Sequence, residues 1–167
     1  MKSRILFDSS SIIVLAEIGF LETFCDLTDD FTITSPVLKE VTLKTSPIKK
    51  AVEELITKKK INVQSITVTS HSSYQLYHTL GLNDGEISIL LAAKKKEDVV
   101  VFDDLIARTV ARAEGFYLTG LLGLLVFLKE DKKLSRKEAL TILSAINKTD
   151  FRMTALLYEA IQKELET

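Results

Sequence analysis

One cysteine, two histidines and two prolines occur in 167 residues, and each scarcity narrows what the chain can be. The lone cysteine, Cys25 in LETFCDL, makes no internal disulfide, so the fold suits a reducing cytoplasm. Cys25 itself reads as a small buried apolar residue. His71 and His78 lie seven apart in a segment read as helix, with no acid or cysteine on their stripe, and are taken as surface or packing residues. Long apolar runs are missing too. The longest, LLGLLVFL at 121–128, is far short of the roughly 20 residues that a membrane span needs. MKSRILFD reaches an acid without any apolar signal-peptide core, so a soluble, cytoplasmic protein is expected. There is no GxxxxGK[ST] phosphate loop, which excludes nucleotide hydrolysis of that type. Net charge is −1, so nothing global draws the chain to nucleic acid. The lysine runs at 58–60 and 94–96 each fall at the end of an expected helix, where cations complement the macrodipole on a solvated face.

What is present is an ordinary globular composition, 46% hydrophobic and 27% charged, in a length that fits one domain over residues 1–167. RILF (4–7), FTIT (31–34), DVVVF (98–102) and FYLTG (116–120) read as strands, and INVQSITV (61–68) as an extended segment. Helical stripes alternate with them. IIVLAEIGF closes on Gly19; SPVLKEV opens with Ser35 as N-cap and Pro36 in the first turn and runs to about Lys44; residues 48–58 form another helix. HSSYQLYHTLG closes on Gly81, LNDGEISILLAAKKK spans 82–96, and LIARTVARAEG ends at Gly115. SRKEALTILSAI opens on a Ser135/Glu138 capping box, and Thr154 starts a last helix through Leu165, making 131–167 a helical extension packed on the rest. This alternation predicts a three-layer α/β/α sandwich around a mostly parallel sheet.

The segment VVVFDD (99–104) drives an apolar strand directly into two acids. Acids at the carboxyl rim of a parallel sheet are either helix caps or ligands for something positive. Asp8 ends the first strand in the same way. The first turn of the helix opening near Gly85 reaches the same rim and brings Glu86, an acid on the apolar stripe of Ile89, Leu90 and Ala93, while Lys94–Lys96 are carried roughly 15 Å away. Glu40 borders the Val37/Val41 stripe one turn into its own helix. Each acid has a plain explanation: Asp8 and Asp103 can be N-caps, Glu86 can complete a capping box with Asn83 over a Leu82/Ile87 staple, and Glu40 can be solvated. Together they are harder to explain. Carboxylates about 4 Å apart repel by roughly 4 kcal/mol per pair at an effective dielectric near 20, so a cluster of them calls for a cation. With no histidine or cysteine at hand the cation should be hard, Mg²⁺ or Mn²⁺ rather than zinc.

The motifs FDSSSIIVLAEIG, SPVLKEV, GLNDGEISILLAAK, VVVFDDLIARTVARAEGF and LTGLLGLL, in this order, resemble the PIN-domain nucleases, on the prokaryotic VapC-like toxin branch, and DFRMTALLYEAI resembles the end of that branch. The resemblance covers nearly the whole chain. It implies a single PIN-like domain and a metal-dependent endoribonuclease whose catalytic metal ligands are Asp8, Glu40, Glu86 and Asp103, with Ser10 as a supporting hydroxyl. A cognate antitoxin and a homodimer are implied as well. The doubled acid departs from the pattern. Asp103 matches it, while Asp104 can pair with Arg108 at i, i+4, or Arg108 can instead hold a substrate phosphate. Asp84 is taken as a first-turn helix residue rather than a ligand. The expected reaction is metal-assisted hydrolysis of an RNA phosphodiester, with single-stranded or looped RNA as substrate because a rim site needs an exposed backbone.

Two other α/β classes fit less well. A haloacid-dehalogenase-type phosphatase needs an aspartate two residues after the first, where this chain has Ser10, and a response-regulator receiver needs an acidic pair at the first strand, where this chain has Asp8 alone. A non-catalytic PIN-fold scaffold or RNA-binding protein is the alternative that keeps the fold.

Overall fold

Five short segments, the inner ones strongly apolar, build the sheet in the computed structural model, which describes residues 4–43 and 46–167. They are β1 (Arg4–Phe7), β2 (Asp30–Thr34), β3 (Asn62–Gln64), β4 (Val99–Val101) and β5 (Tyr117–Thr119). All neighbours run parallel in the order β3-β2-β1-β4-β5. The inner strands are buried on both faces because helices cover both, with Thr32 and Thr34 of β2 as buried polar members, whereas the edge strands β3 and β5 keep exposed residues. Phe7 and Phe31 stack within the core, ring centroids 3.8 Å apart and 6° from parallel. The strand order has a functional consequence. After β1 the chain builds outward to β3, then returns to the other side of β1 for β4 and β5, so the topological switch point falls between β1 and β4.

The flanking helices are α1 (Ser9–Glu17), α2 (Leu21–Leu27), α3 (Ser35–Thr42), α4 (Pro47–Thr57), α5 (Tyr74–Thr79), α6 (Asp84–Ala92), α7 (Leu105–Ala113), α8 (Leu121–Glu130), α9 (Arg136–Ile146) and α10 (Ala155–Glu166). α1 packs on α2, α3 and α4, α6 packs on α3 and β2, and α10 packs on α8 and α9. The Ser135/Glu138 capping box opens α9 and the Thr154 side chain caps α10, as their sequences predict. Cys25 is buried, and burial pushes its thiol up to about 12. No helix among the described residues is long and apolar enough to cross a membrane.

Several boundaries differ from expectation, each for a local reason. Thr34 rather than Ser35 takes the N-cap backbone conformation of α3, and the Ser35 hydroxyl is drawn sideways, accepting from the Ile66 N–H at 3.0 Å. The expected end of that helix near Lys44 lies outside the described residues. Only Asn62–Gln64 of the 61–68 segment forms strand, pairing with β2 alone. The helix expected over HSSYQLYHTLG covers only Tyr74–Thr79, so His71 precedes it and the two histidines share no helical face; both are exposed. α6 stops at Ala92, and Lys94–Lys96 follow it instead of ending it, because Asp98 captures the Lys94 N–H at 2.7 Å and turns the chain into β4.

That capture belongs to a buried network at the start of β4, far from the carboxyl rim. Asp98 is 5% exposed and accepts from the Arg4 guanidinium through Nε at 3.2 Å and Nη2 at 2.5 Å. Arg4 also donates to the Ala92 carbonyl at 2.9 Å and to Gln64 Oε1 at 2.6 Å. One guanidinium thus ties β1, β3, β4 and the end of α6 together. Burial pushes the Asp98 carboxyl up, but the Arg4 and Lys94 hydrogen bonds outweigh it and hold the group below its usual range. Removing one partner strands a buried charge, so Asp98→Ala is expected to cost roughly 3 kcal/mol. Chemical unfolding at pH 7 checks this. Since the carboxyl is held low, the deficit of the variant should shrink as pH falls through the acid range, where wild type itself loses the contribution.

Candidate active site

The apolar run of β1 ends at Phe7 and that of β4 continues to Phe102, and the register Phe7↔Val101 brings Asp8 beside the end of β4, its N–H donating to the Val101 carbonyl at 3.3 Å. Asp8 is the N-cap of α1: Oδ1 accepts from the Ser11 N–H at 3.0 Å, and Oδ2 from the Ser10 hydroxyl at 2.7 Å. Asp103 leaves β4 on the same rim. Its Oδ2 accepts from the Ser11 hydroxyl at 2.9 Å and its Oδ1 from the Leu121 N–H, in the first turn of α8, at 3.0 Å. Ser11, fully buried, therefore holds both acids, one through its main chain and the other through its side chain.

A second pair of acids gathers at the first turn of α6. Glu86 completes the capping box with Asn83, accepting the Asn83 N–H on Oε2 at 3.0 Å. Glu40 reaches across from α3, and its Oε1 accepts the Gly85 N–H at 3.1 Å. This approach requires glycine, because a Cβ at position 85 would lie 2.6 Å from Glu40 Oε1 and 2.8 Å from Oε2. Behind this turn, the Ser88 hydroxyl donates to the Gly85 carbonyl at 2.6 Å and is itself 2.5 Å from the Thr34 hydroxyl, both side chains fully buried, so the end of β2 fixes the turn that receives Glu40. Thr34 must be the donor, since the one Ser88 proton goes to Gly85.

Asp104 and Arg108 do not pair. Asp104 caps α7, accepting from the N–H groups of Ile106 at 2.8 Å and Ala107 at 3.0 Å, which leaves Arg108 to turn back toward the strand end. Its Nη1 donates to the Phe102 carbonyl at 2.9 Å, and a Cβ added at Gly120 would sit 2.7 Å from that Nη1 and 2.7 Å from Asp103 Oδ1. Gly120 thus makes room for the guanidinium next to Asp103. Asp84 points elsewhere, bonded by the Tyr74 hydroxyl at 3.1 Å.

The electrostatics follow from this crowding. Burial, reinforced by the neighbouring Asp8 charge, pushes the Asp103 carboxyl up to about 6, against the opposing pull of the Leu121 and Ser11 hydrogen bonds and Arg108. Burial raises Asp8 as well. Glu86 is raised first by burial and further by Asp104, Asp8 and Glu40. The first turns of α1, α6 and α8 each donate a backbone N–H to one of these carboxylates, which partly offsets the repulsion. Among the described residues, no three His, Cys, Asp or Glu side chains are gathered closely enough to enclose a metal ion. Asp8 and Asp103 are linked through Ser11, while Glu86 lies near the charges of Asp104, Asp8 and Glu40. This donor set fits a hard divalent cation of the kind that takes one or two carboxylates and completes its shell with water and phosphate oxygens, and poorly fits zinc.

Because the Asp103 carboxyl is raised, its ionisation works against the metal-free fold. Stability contributed by the protonated group is present at low pH and lost as pH rises through about 6. With chelator present, wild type should therefore become less stable between about pH 4 and 6 relative to Asp103→Asn, which lacks that titration. Thermal melts across this range decide it. Parallel curves for the two proteins would mean that Asp103 is not buried beside Asp8.

Neither the curated proteins nor the solved structures gave a match. A family model described as a PIN domain matches residues 4–167, all but the first three residues. PIN domains are generally nucleases that act on nucleic acids with divalent metal ions. With that match spanning both acid pairs and every strand of the sheet, the chain belongs to the PIN-domain family.

Proposed function

We propose that this protein is an endoribonuclease that hydrolyses RNA phosphodiesters with Mg²⁺ or Mn²⁺. The observation that carries the reading is the Asp8–Asp103 pair, two carboxylates crowded at the switch point and raised in pKa, with a guanidinium beside them. Asp8, Glu40, Glu86 and Asp103 would hold the cation. When bound, it lowers the pKa of a coordinated water and offsets charge developing on the phosphate. The chain's own groups set the frame. Asp8 and Asp103 are mounted at the ends of paired sheet strands, which hold a side chain more precisely than a loop would. Arg108, fixed by the Phe102 carbonyl, keeps further N–H groups available to a phosphate oxygen at Asp103. Ser10 steadies Asp8, and Asp104, used as the α7 cap, adds negative charge near Glu86 rather than a ligand.

Around this rim, Leu76 of α5, Leu80 just after it, and Leu105 and Ile106 of α7 are exposed apolar side chains. They support a partner surface beside the site, in keeping with a toxin that is held by an antitoxin and forms a homodimer in the cytoplasm. The lysines at 94–96 lie away from the acids and serve no role in substrate binding; Lys95 is paired with Glu114 at 2.6 Å.

Cleavage of mixed RNAs by the pure protein tests the activity directly. Wild type is expected to cut only with divalent metal, and Asp8→Asn and Asp103→Asn should each lose at least a hundredfold. Equal cleavage by all three would indicate a contaminating nuclease, and cleavage by none would favour the scaffold reading. Glu86→Gln separates ligand from cap. Gln serves the capping box about as well, so the metal-free variant should melt near wild type. A ligand at a hundredfold excess over its Kd stabilises by about 2.7 kcal/mol, several degrees here. Wild type should gain those degrees with Mn²⁺ and Glu86→Gln few of them; equal gains would leave Glu86 a cap alone.

A further inference from the structure

The three consecutive serines after Asp8 are not equivalent. Ser9 is the first residue of α1, Ser10 is exposed and bonds only Asp8, and Ser11 is fully buried between the two strand ends. The resemblance of the sequence to known nucleases singles out Ser10; the contacts single out Ser11. We infer that Ser11 is a positioning residue that fixes Asp103 relative to Asp8 for cation binding, with its hydroxyl as the element that acts. The inference rests on the metal-dependent reading above and adds a residue to it.

A serine hydroxyl has one proton, and Ser11 gives it to Asp103 Oδ2 at 2.9 Å; its backbone N–H goes to Asp8 Oδ1 at 3.0 Å. Both donors sit in one rigid helical turn, so a single residue reaches both carboxylates. The Asp103 main chain also bonds Asp8, which ties the strand end to it but leaves the Asp103 carboxylate to be oriented by other donors. That carboxylate has only one other hydrogen bond, from the Leu121 N–H on the opposite oxygen, which can act as a pivot but cannot alone stop its rotation. Arg108 does not fill that role, because its described hydrogen bond goes to the Phe102 carbonyl. A hydroxyl donor also suits the purpose better than a cation would. It orients a carboxylate while leaving the pair's negative charge for a metal, whereas a lysine or arginine between the acids would neutralise it.

The two donors of Ser11 separate under mutation. Ser11→Ala keeps the main-chain bond to Asp8 and removes the hydroxyl, which bonds Asp103 and also lies within reach of Asp8. Ser11→Ala should bind Mn²⁺ about tenfold or more weakly by isothermal titration, and its loss of RNA cleavage should shrink as Mn²⁺ is raised, because the hydroxyl acts on metal affinity and not on the reacting atoms. Unchanged Mn²⁺ affinity would overturn the inference, as would a loss of cleavage that does not shrink as Mn²⁺ is raised. A double-mutant cycle with chelator present keeps the contact testable should no metal bind at all. Ser11→Ala should lower the unfolding midpoint in the wild-type background and change it little in an Asp103→Ala background. Equal shifts in both backgrounds would remove Ser11 from Asp103. Failure of wild type to bind Mn²⁺ would overturn the metal-dependent reading, and with it the role of Ser11 in cation binding, and the cycle would then report whether the bridge between the acids exists for its own sake.

Discussion

Two carboxylates lie close together at the end of a parallel sheet, and much of the architecture around them serves to make that tolerable. Asp8 is 6% exposed and Asp103 is raised to about 6, so neither obtains from water what it loses on folding. No lysine, and no salt bridge of any kind among the described residues, neutralises them. Their hydrogen bonds come instead from neutral donors: the Ser11 and Leu121 amides and the Ser10 and Ser11 hydroxyls. Neutral donors satisfy the oxygen lone pairs without cancelling the charge. The site keeps its negative field, as the proposed cation would require.

The supply of those donors explains why the helices start where they do. α1, α6 and α8 all begin on the carboxyl rim, because each follows a strand or a turn that ends there, and a helix start offers N–H groups that no intrahelical carbonyl uses. Two glycines convert these starts into receptors. Gly85 lets Glu40 approach the α6 backbone, and Gly120 leaves space for both Asp103 Oδ1 and the Arg108 guanidinium at the α8 cap. A side chain at either position would push a carboxylate out of place before any contact to a ligand was considered.

Much of this was legible in the residues. β-branched runs ending in acids gave the sheet and the rim, and the Asn83/Glu86 and Ser135/Glu138 spacings gave the capping boxes that open α6 and α9. The distinction between cap and ligand was not legible, because it is a false choice at Asp8: one carboxylate has two oxygens, and only Oδ1 takes the Ser11 amide. The Asp104–Arg108 ion pair fails for a related reason. Spacing of i, i+4 permits an ion pair with Asp104, but a capping aspartate has its oxygen committed to two amides of its own helix, and the spacing rule carries no record of that competition. Ser11 escaped notice because three adjacent serines look alike until the helix phase and the strand register are both known. The Thr34–Ser88–Gly85 chain joins residues 54 apart in sequence, and no local pattern announces it. The histidine segment failed differently: only six residues of it became helix, too few to sustain the periodicity that the sequence reading assumed.

The contrast between the two ends of the sheet sets a structural acid against the acids proposed to be functional. Asp98 is as buried as Asp8, yet it is paired with a guanidinium and held below its ordinary range, so its charge stabilises the fold. Asp8, Glu86 and Asp103 are raised, so their charges oppose it. If the chain were shaped for stability alone, the carboxyl rim would look like the Arg4–Asp98 end, with a cation drawn from the sequence into the gap. The lysines were available: Lys94–Lys96 are attached to the same helix whose first turn carries Glu86. They stand at its other end, and Arg108, a cationic side chain at the rim, is tethered to a carbonyl. Local departures from what stability alone would favour are expected where a protein does its chemistry. The uncompensated rim is such a departure, and the stability it forgoes is what binding of a divalent cation would return.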